Sequence, residues 1–255
     1  MRHVSETHDA GRLDRSEPPR LELRAISKSY PGTSVLRSID LRLAPREVLG
    51  VLGPSGAGKT TCLKIAAGIE HPTSGEVLID GRLGTHLPPY ERPTRMVWQD
   101  GALFPHLRVF DQIAYGLRIH RASPGVVREA VGTMIDRLGL RGMERRLPVE
   151  LSGGERQRVA LGRALADRQA TVLLLDEPLA AVDASLRSDL RRFISELQKD
   201  LGFSCVIVTH DREEALAMSD RVALLRGGEL VQEGTPEQLY RHPANRFAAE
   251  FLGPV

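Results

Sequence analysis

From residue 21 onward, apolar and polar positions alternate. Leu21, Leu23 and Ala25 make one such series and Ile39, Leu41 and Leu43 a second, the period of strands with one buried and one solvated face. Val48–Leu52 is apolar or glycine throughout, which predicts a central strand covered on both sides. A short run at residues 77–79 stops at Asp80-Gly81, a turn pair, and predicts a strand of an antiparallel lobe beside the core. The rhythm then becomes helical. Val127, Val131, Met134, Ile135 and Leu138 recur at three- and four-residue steps, with Ser123-Pro124 placed as cap and first residue and Gly139 as the stop. An inserted helical lobe over about residues 100–166 is the expectation. Beyond it come an apolar run at 172–175, a helix over Ala184–Leu201 and a second apolar run at 205–208. In that helix Leu186, Leu190, Phe193, Ile194 and Leu197 form a stripe that must face a sheet. Strand, helix and strand in succession imply a parallel α/β core. Gly227-Gly228 between two apolar runs predicts a tight hairpin, and Thr235-Pro236-Glu237-Gln238 opens a short helix with a capping box.

Length and composition narrow this picture. A chain of 255 residues that is 41% hydrophobic supports one large domain over residues 21–255. Residues 1–20 carry four arginines, four acids and two prolines, so they bury too little apolar surface to offset their ordering entropy and are expected to form a polar, disordered tail. Lysine and arginine total 35 against 33 acids, a formal net charge of +2, which supplies no field for gripping nucleic acid. No apolar run reaches the ~18–20 residues needed to span a bilayer, and the N-terminus lacks the apolar stretch of a signal peptide. Cys62 and Cys205 fall in a helix and a buried strand without metal-ligand spacing and read as reduced packing residues.

Candidate chemistry begins with Gly53-Pro54-Ser55-Gly56-Ala57-Gly58-Lys59-Thr60-Thr61, which stands between an apolar strand and a helix starting near Lys59. In that setting the glycines let successive N–H groups turn toward phosphate oxygens and the helix N-terminus adds positive potential. Lys59 then bridges β- and γ-phosphates, and Thr60 offers a hydroxyl to Mg²⁺. Asp176-Glu177 ends a second apolar strand at the carboxyl edge of the sheet, where α/β folds place ligands. There Asp176 can hold Mg²⁺ through water, and Glu177 can polarise an attacking water or accept its proton. Ser152, followed by Gly153, Gly154 and Glu155, opens a third helix with a capping box. The two glycines leave backbone N–H groups bare, which makes a second phosphate site.

Leu151-Ser152-Gly153-Gly154-Glu155-Arg156-Gln157, together with the phosphate loop and Asp176-Glu177 in this order, resembles the signature of ABC-transporter nucleotide-binding subunits, over about residues 21–252. The resemblance implies an α/β P-loop NTPase core of RecA-like type with an antiparallel β lobe and an inserted helical subdomain. It implies ATP and Mg²⁺ as cofactors and a head-to-tail pair, a homodimer or a pairing with a second ABC subunit. Each ATP is then held by the phosphate loop of one subunit and the signature helix of the other. By the same resemblance Tyr30 stacks on adenine, Gln99 reaches Mg²⁺ and the attacking water, His210 contacts the γ-phosphate, and Asp183 touches the opposite subunit. Ala180 stands where the family usually has serine.

Residues 87–93 (Leu-Pro-Pro-Tyr-Glu-Arg-Pro), 102–107 (Ala-Leu-Phe-Pro-His-Leu) and 158–165 look like importers of polyamines, ferric iron, sulfate, molybdate or sugars. Polyamine importers give the nearest likeness, while Asp100-Gly101 is closer to the iron or molybdate branches; an exporter subunit is the further alternative. The implied partners are transmembrane permease subunits, docking near Leu103, Phe104 and Leu107, and, indirectly, a periplasmic or extracellular solute-binding protein. The implied location is peripheral, at the cytoplasmic face of the inner membrane. Many relatives continue beyond the position of Val255 into a C-terminal regulatory domain, so regulation of that kind is not expected.

Overall fold

The computed structural model describes residues 17–167 and 170–253. Two sheets organise it. The first is antiparallel, in the order β2-β1-β4-β5, formed by β1 (Leu21–Tyr30), β2 (Thr33–Leu43), β4 (Ser74–Ile79) and β5 (Arg82–Leu83). The second has six strands in the order β10-β9-β3-β8-β7-β6, comprising β3 (Val48–Leu52), β6 (Thr94–Val97), β7 (Val172–Asp176), β8 (Ser204–Thr209), β9 (Arg221–Arg226) and β10 (Glu229–Gly234). All its pairings are parallel except the β9–β10 hairpin. Every residue of β3, β7 and β8 is buried, as continuous apolar runs at the centre of a two-sided parallel sheet require.

The helix α1 (Lys59–Ala67) lies between the two sheets. Its Cys62, Leu63, Ile65 and Ala66 share one cluster with Leu21, Leu23, Ile39 and Leu41 of the antiparallel lobe and with Leu49 and Val51 of β3. On the other side, α5 (Ala184–Leu201) packs Leu190, Ile194 and Leu197 into the cluster that holds Leu173, Leu175, Cys205 and Ile207. That same cluster runs into the helical lobe of α2 (Val109–Ile119), α3 (Pro124–Arg137) and α4 (Gly153–Leu165). There α2 and α4 cross closely at Gly162, where an added Cβ would stand 2.5 Å from Leu138 Cδ1 and 3.2 Å from Ile113 Cγ1. A third, smaller cluster joins β9 to α6 (Arg212–Met218), α7 (Pro236–Arg241) and α8 (Arg246–Leu252) through Leu224, Ala215, Leu239 and Ala248.

Two expectations are corrected. Ala25 does not continue the inward series of Leu21 and Leu23: a β-bulge shifts the register between Leu23 and Ile26. Ala25 takes a positive φ of 47°, is exposed and donates its N–H to Asp40 Oδ1 at 2.8 Å, so Ile26 points inward instead. The extra residue of a bulge moves every later side chain to the other face. Leu186 is 44% exposed, so the stripe on α5 meets the core only from Leu190. The tail read over residues 1–20 lies, for 1–16, outside the described residues. Arg20 joins the antiparallel lobe, its N–H bonded to Leu43 O at 2.9 Å and its guanidinium to Asp80 at 2.7 Å. Among the described residues no helix is long and apolar enough to cross a membrane.

Candidate functional site

Four neighbouring parallel strands deliver the site residues to one edge. In the spatial order β3-β8-β7-β6, β3 leads into Gly53, β8 into His210, β7 into Asp176-Glu177 and β6 into Gln99. Val97 is in register with Leu175, so Gln99 and Glu177 each stand two residues beyond a paired position.

The loop after β3 is shaped by glycine where nothing else fits. A Cβ at Gly53 would sit 2.3 Å from Leu225 O. Gly56 and Gly58 have φ of 78° and 95°, left-handed values that cost a side-chain-bearing residue free energy. Gly58 is also the N-cap of α1, with no side-chain cap, and the first intrahelical bond is Cys62 N–H to Gly58 O at 2.9 Å. The N–H groups of Lys59, Thr60 and Thr61 therefore have no acceptor within the helix, the condition for an anion seat. Ser55 and Gly56 are exposed, Pro54 and Thr61 half-buried, and Ala57 buried with its N–H on Pro54 O at 3.2 Å. Lys59 donates to Gly53 O at 2.7 Å and Pro54 O at 3.0 Å. Burial pulls its ammonium pKa down, against the opposing pull of Glu177 and Asp176.

Beside it, Thr60 Oγ1 donates to Asp176 Oδ1 at 3.0 Å. Burial pushes the Asp176 carboxyl above its ordinary range, an effect that the Thr60 bond opposes and Glu177 reinforces. Glu177 holds a φ of 49°, rare for a residue with a side chain, fastened by its N–H on Val208 O at 2.8 Å. That backbone turn aims its carboxylate at His210, whose Nδ1 lies 2.8 Å from Oε1 and 2.7 Å from Oε2. A hydroxyl and a carboxylate oxygen side by side are hard oxygen donors of the kind Mg²⁺ takes, so Thr60 and Asp176 fit that ion.

No hydrogen bond among the described residues joins the remaining candidates to this cluster. Gln99 is exposed in the turn after β6. Tyr30, 40% exposed, closes β1 on the other sheet with Lys28 Nζ 4.9 Å from its ring centroid. Ser152 caps α4: its Oγ accepts Glu155 N–H at 3.2 Å while Glu155 Oε2 accepts Ser152 N–H at 2.7 Å. Gly153 approaches the loop before Asp183 so closely that a Cβ would lie 2.7 Å from Ala181 O, whereas Gly154 faces open space. Asp183 is the exposed N-cap residue of α5, without a side-chain cap bond. Phe104 is half-buried, its ring 4.6 Å from that of Tyr115 with Arg163 over it at 5.3 Å, and Leu103 packs against the helical-lobe core.

Two buried polar residues escape sequence reasoning, Glu214 beside the site and Arg92 at the far end of α1. Arg92 is 1% exposed and donates to four backbone carbonyls, and Glu214 is 4% exposed and bonded to Thr209. Neither breaks the apolar pattern around it, so no periodicity marks it as buried.

Residues 36–180 match the model of the family described as ABC transporter. The chain is 47% identical over 237 residues to the Fe(3+) ions import ATP-binding protein FbpC of Rhizobium etli, covering 93% of this chain and 67% of that protein. It is likewise 47% identical over 233 residues to the spermidine/putrescine import ATP-binding protein PotA of Spiroplasma citri, covering 91% and 66%. It thus spans about two thirds of the length of these curated relatives. Among solved structures, CbiO1 from Clostridium perfringens, part of the ABC transporter complex CbiONQ, superimposes with a TM-score of 0.80 at 27% identity. That superposition covers 89% of this chain and 93% of the other.

Proposed function

The chain belongs to the ABC transporter family and forms its ATPase domain, and we propose that it is the ATP-hydrolysing subunit of an importer. It acts as a head-to-tail pair at the cytoplasmic face of the inner membrane on a permease that receives solute from a binding protein. The observation that carries this reading is the Glu177–His210 pair at 2.7–2.8 Å, on the strand edge that also presents Lys59 and the Thr60–Asp176 pair. Lys59 exchanges its two carbonyl partners for phosphate oxygens, a stronger charge-assisted contact. Glu177 orients the attacking water and takes its proton at a carboxylate oxygen, while His210 holds that carboxylate through Nδ1 and turns toward the γ-phosphate. Thr60 and Asp176, with Gln99, are the residues that would hold Mg²⁺, which would neutralise charge on the transferred phosphoryl group. Tyr30 supplies the adenine platform; Ser152, Gly153, Gly154 and Asp183, all on the outer surface or at its edge, serve the nucleotide of the opposite subunit. The segment of Leu103, Phe104 and Leu107 is the permease-docking face.

For the solute we infer a polyamine, with ferric iron as the second reading because relatives named for each match at 47% identity. Uptake of labelled spermidine, putrescine and ferric iron in a deletion strain decides between them. For the ATPase reading, Glu177→Gln is the test. ATP affinity stays close to wild type while turnover falls by about 10²–10⁴-fold, and size-exclusion in Mg-ATP finds a trapped dimer. A monomer with normal turnover overturns the assignment.

A further inference from the structure

We propose that Glu214 is a positioning residue for the Glu177–His210 pair, acting through the hydroxyl of Thr209; this rests on the ATPase reading above. Thr209 ends β8 and is fully buried. Its hydroxyl has one proton to give and lone pairs to receive with. The proton goes to Glu214 Oε2 at 2.7 Å, and the oxygen accepts Asp211 N–H at 3.0 Å. Asp211 Oδ1 in turn accepts the N–H groups of Glu213 at 2.8 Å and Glu214 at 3.2 Å, capping α6. The bonds close into a ring over residues 209–214, with His210 at its outer corner. Glu177 is tied to the same strand end by its N–H on Val208 O. The relative placement of the two site residues therefore depends on the stiffness of this one turn.

Capping α6 needs only Asp211, so Glu214 is not accounted for by the helix start. Its neighbour Glu213 is exposed, as an acid in a first helical turn ordinarily is. Glu214 instead is 4% exposed and forms no salt bridge among the described residues. Burial pushes its carboxyl above the ordinary range, Asp211 and Glu177 push the same way, and Thr209 and Arg187 oppose. An acid held under those conditions, one hydrogen bond from the residue preceding His210, serves the geometry of the site at a cost in stability.

The test is steady-state ATP hydrolysis by the full chain in Glu214→Ala, Glu214→Gln and Thr209→Val. Loosening the turn misplaces His210, and only through His210 the Glu177 carboxylate that it holds, without touching the phosphate loop. Glu214→Ala and Thr209→Val therefore lower kcat by about tenfold or more and leave KM for ATP within about twofold. Glu214→Gln keeps an oxygen that accepts the Thr209 proton and retains most of the turnover. Because the effect passes through His210, the His210→Ala/Glu214→Ala double variant is no slower than His210→Ala alone. Should Glu214→Ala lose its folded circular-dichroism signal, the near-isosteric Thr209→Val carries the test. An unchanged kcat in Thr209→Val, a Glu214→Gln variant as impaired as the alanine one, or independent losses in the double variant overturns the role. The parent reading is checked separately: if the wild-type chain shows no turnover that Glu177→Gln abolishes, that reading fails too. If it does, an unaltered Thr209→Val overturns the positioning role alone.

Discussion

Asp176 holds its charge at a cost to the folded state. Its carboxyl is buried and its pKa raised, first by desolvation, so between the ordinary carboxylate value and the raised one the native state binds more protons than the unfolded state. Stability therefore falls as pH rises through that window. Asp176→Asn keeps an oxygen to accept the Thr60 proton and removes the buried charge. The variant should melt about 2–4 °C above wild type near pH 7, the shift that ~1 kcal/mol produces in a domain of this size, while losing ATP turnover. Below the ordinary carboxylate range the wild-type group is protonated in both states and the gain disappears. Calorimetry from pH 4 to 8 checks this; a gain that does not change with pH would mean the buried charge is not its source. The Asp176-Glu177 pair was legible as a strand end, whereas its Thr60 partner, 116 residues away in sequence, was visible only as a metal-ligand candidate.

Among the elements, α1 is fastened at both ends by different chemistry. Its N-terminus is the glycine-lined phosphate loop, and its last turn receives Arg92, which donates to Ile65 O at 2.8 Å and Ala66 O at 3.0 Å. The same guanidinium reaches Thr85 O at 3.0 Å and Leu87 O at 2.9 Å, so it staples the helix to the chain that returns from the antiparallel lobe. No carboxylate pairs with it among the described residues. Gly68 completes the seat: its φ is 77° and a Cβ there would lie 2.5 Å from Arg92 Nε. Arg92→Met removes the side-chain donor from the carbonyls of Ala66, Thr85 and Leu87, while Ile65 O keeps the Gly68 N–H at 3.1 Å, and is expected to cost about 3 kcal/mol, read as a lower urea midpoint. Arg92→Lys restores the charge but not the fork of donors, so it recovers only a fraction of the loss; full recovery would show that charge alone matters. From sequence Arg92 stood in the Leu-Pro-Pro-Tyr-Glu-Arg-Pro stretch read only as importer-like, with nothing to mark it as buried. The capped helices were different: Ser123, Ser152 and Thr235 each accept the predicted N–H bond, because a cap is decided within three residues.

For the whole molecule, the spread of the site is the informative feature. Lys59, Thr60, Asp176, Glu177 and His210 converge, while the Ser152 end of α4 is exposed and its hydroxyl and amide are spent on its own capping box. A site completed by a second copy explains that separation, and it predicts complementation. Lys59→Ala and Ser152→Arg chains are each inactive as self-paired dimers, but a mixed dimer has one doubly damaged site and one intact site. Random re-pairing makes half the dimers mixed, so activity near about a quarter of wild type is expected on mixing. No gain on mixing, with mixed dimers demonstrated by differential tags, counts against the head-to-tail pair.

Local chemistry could be read from the chain alone because its rules act over a few residues. Strand and helix periods, caps, the glycine loop and the strand-terminal carboxylates all depend on neighbours in sequence, and they delivered the α/β class and the residues Lys59, Thr60, Asp176 and Glu177 of the converged cluster, while β6 and α8 went unread and His210 came from the family resemblance. Tertiary structure decided what depends on which strands lie side by side. The order β3-β8-β7-β6 brings Glu177 within hydrogen-bond distance of a histidine 33 residues later. Cross-strand pairing with Asp40 turns Ala25 outward. Packing, and not pattern, buries Arg92 and Glu214, since a polar side chain enters a core only where the fold supplies its partners: for Arg92 these include Ile65 and Ala66 of α1, and for Glu214 the Thr209 hydroxyl at the buried end of β8.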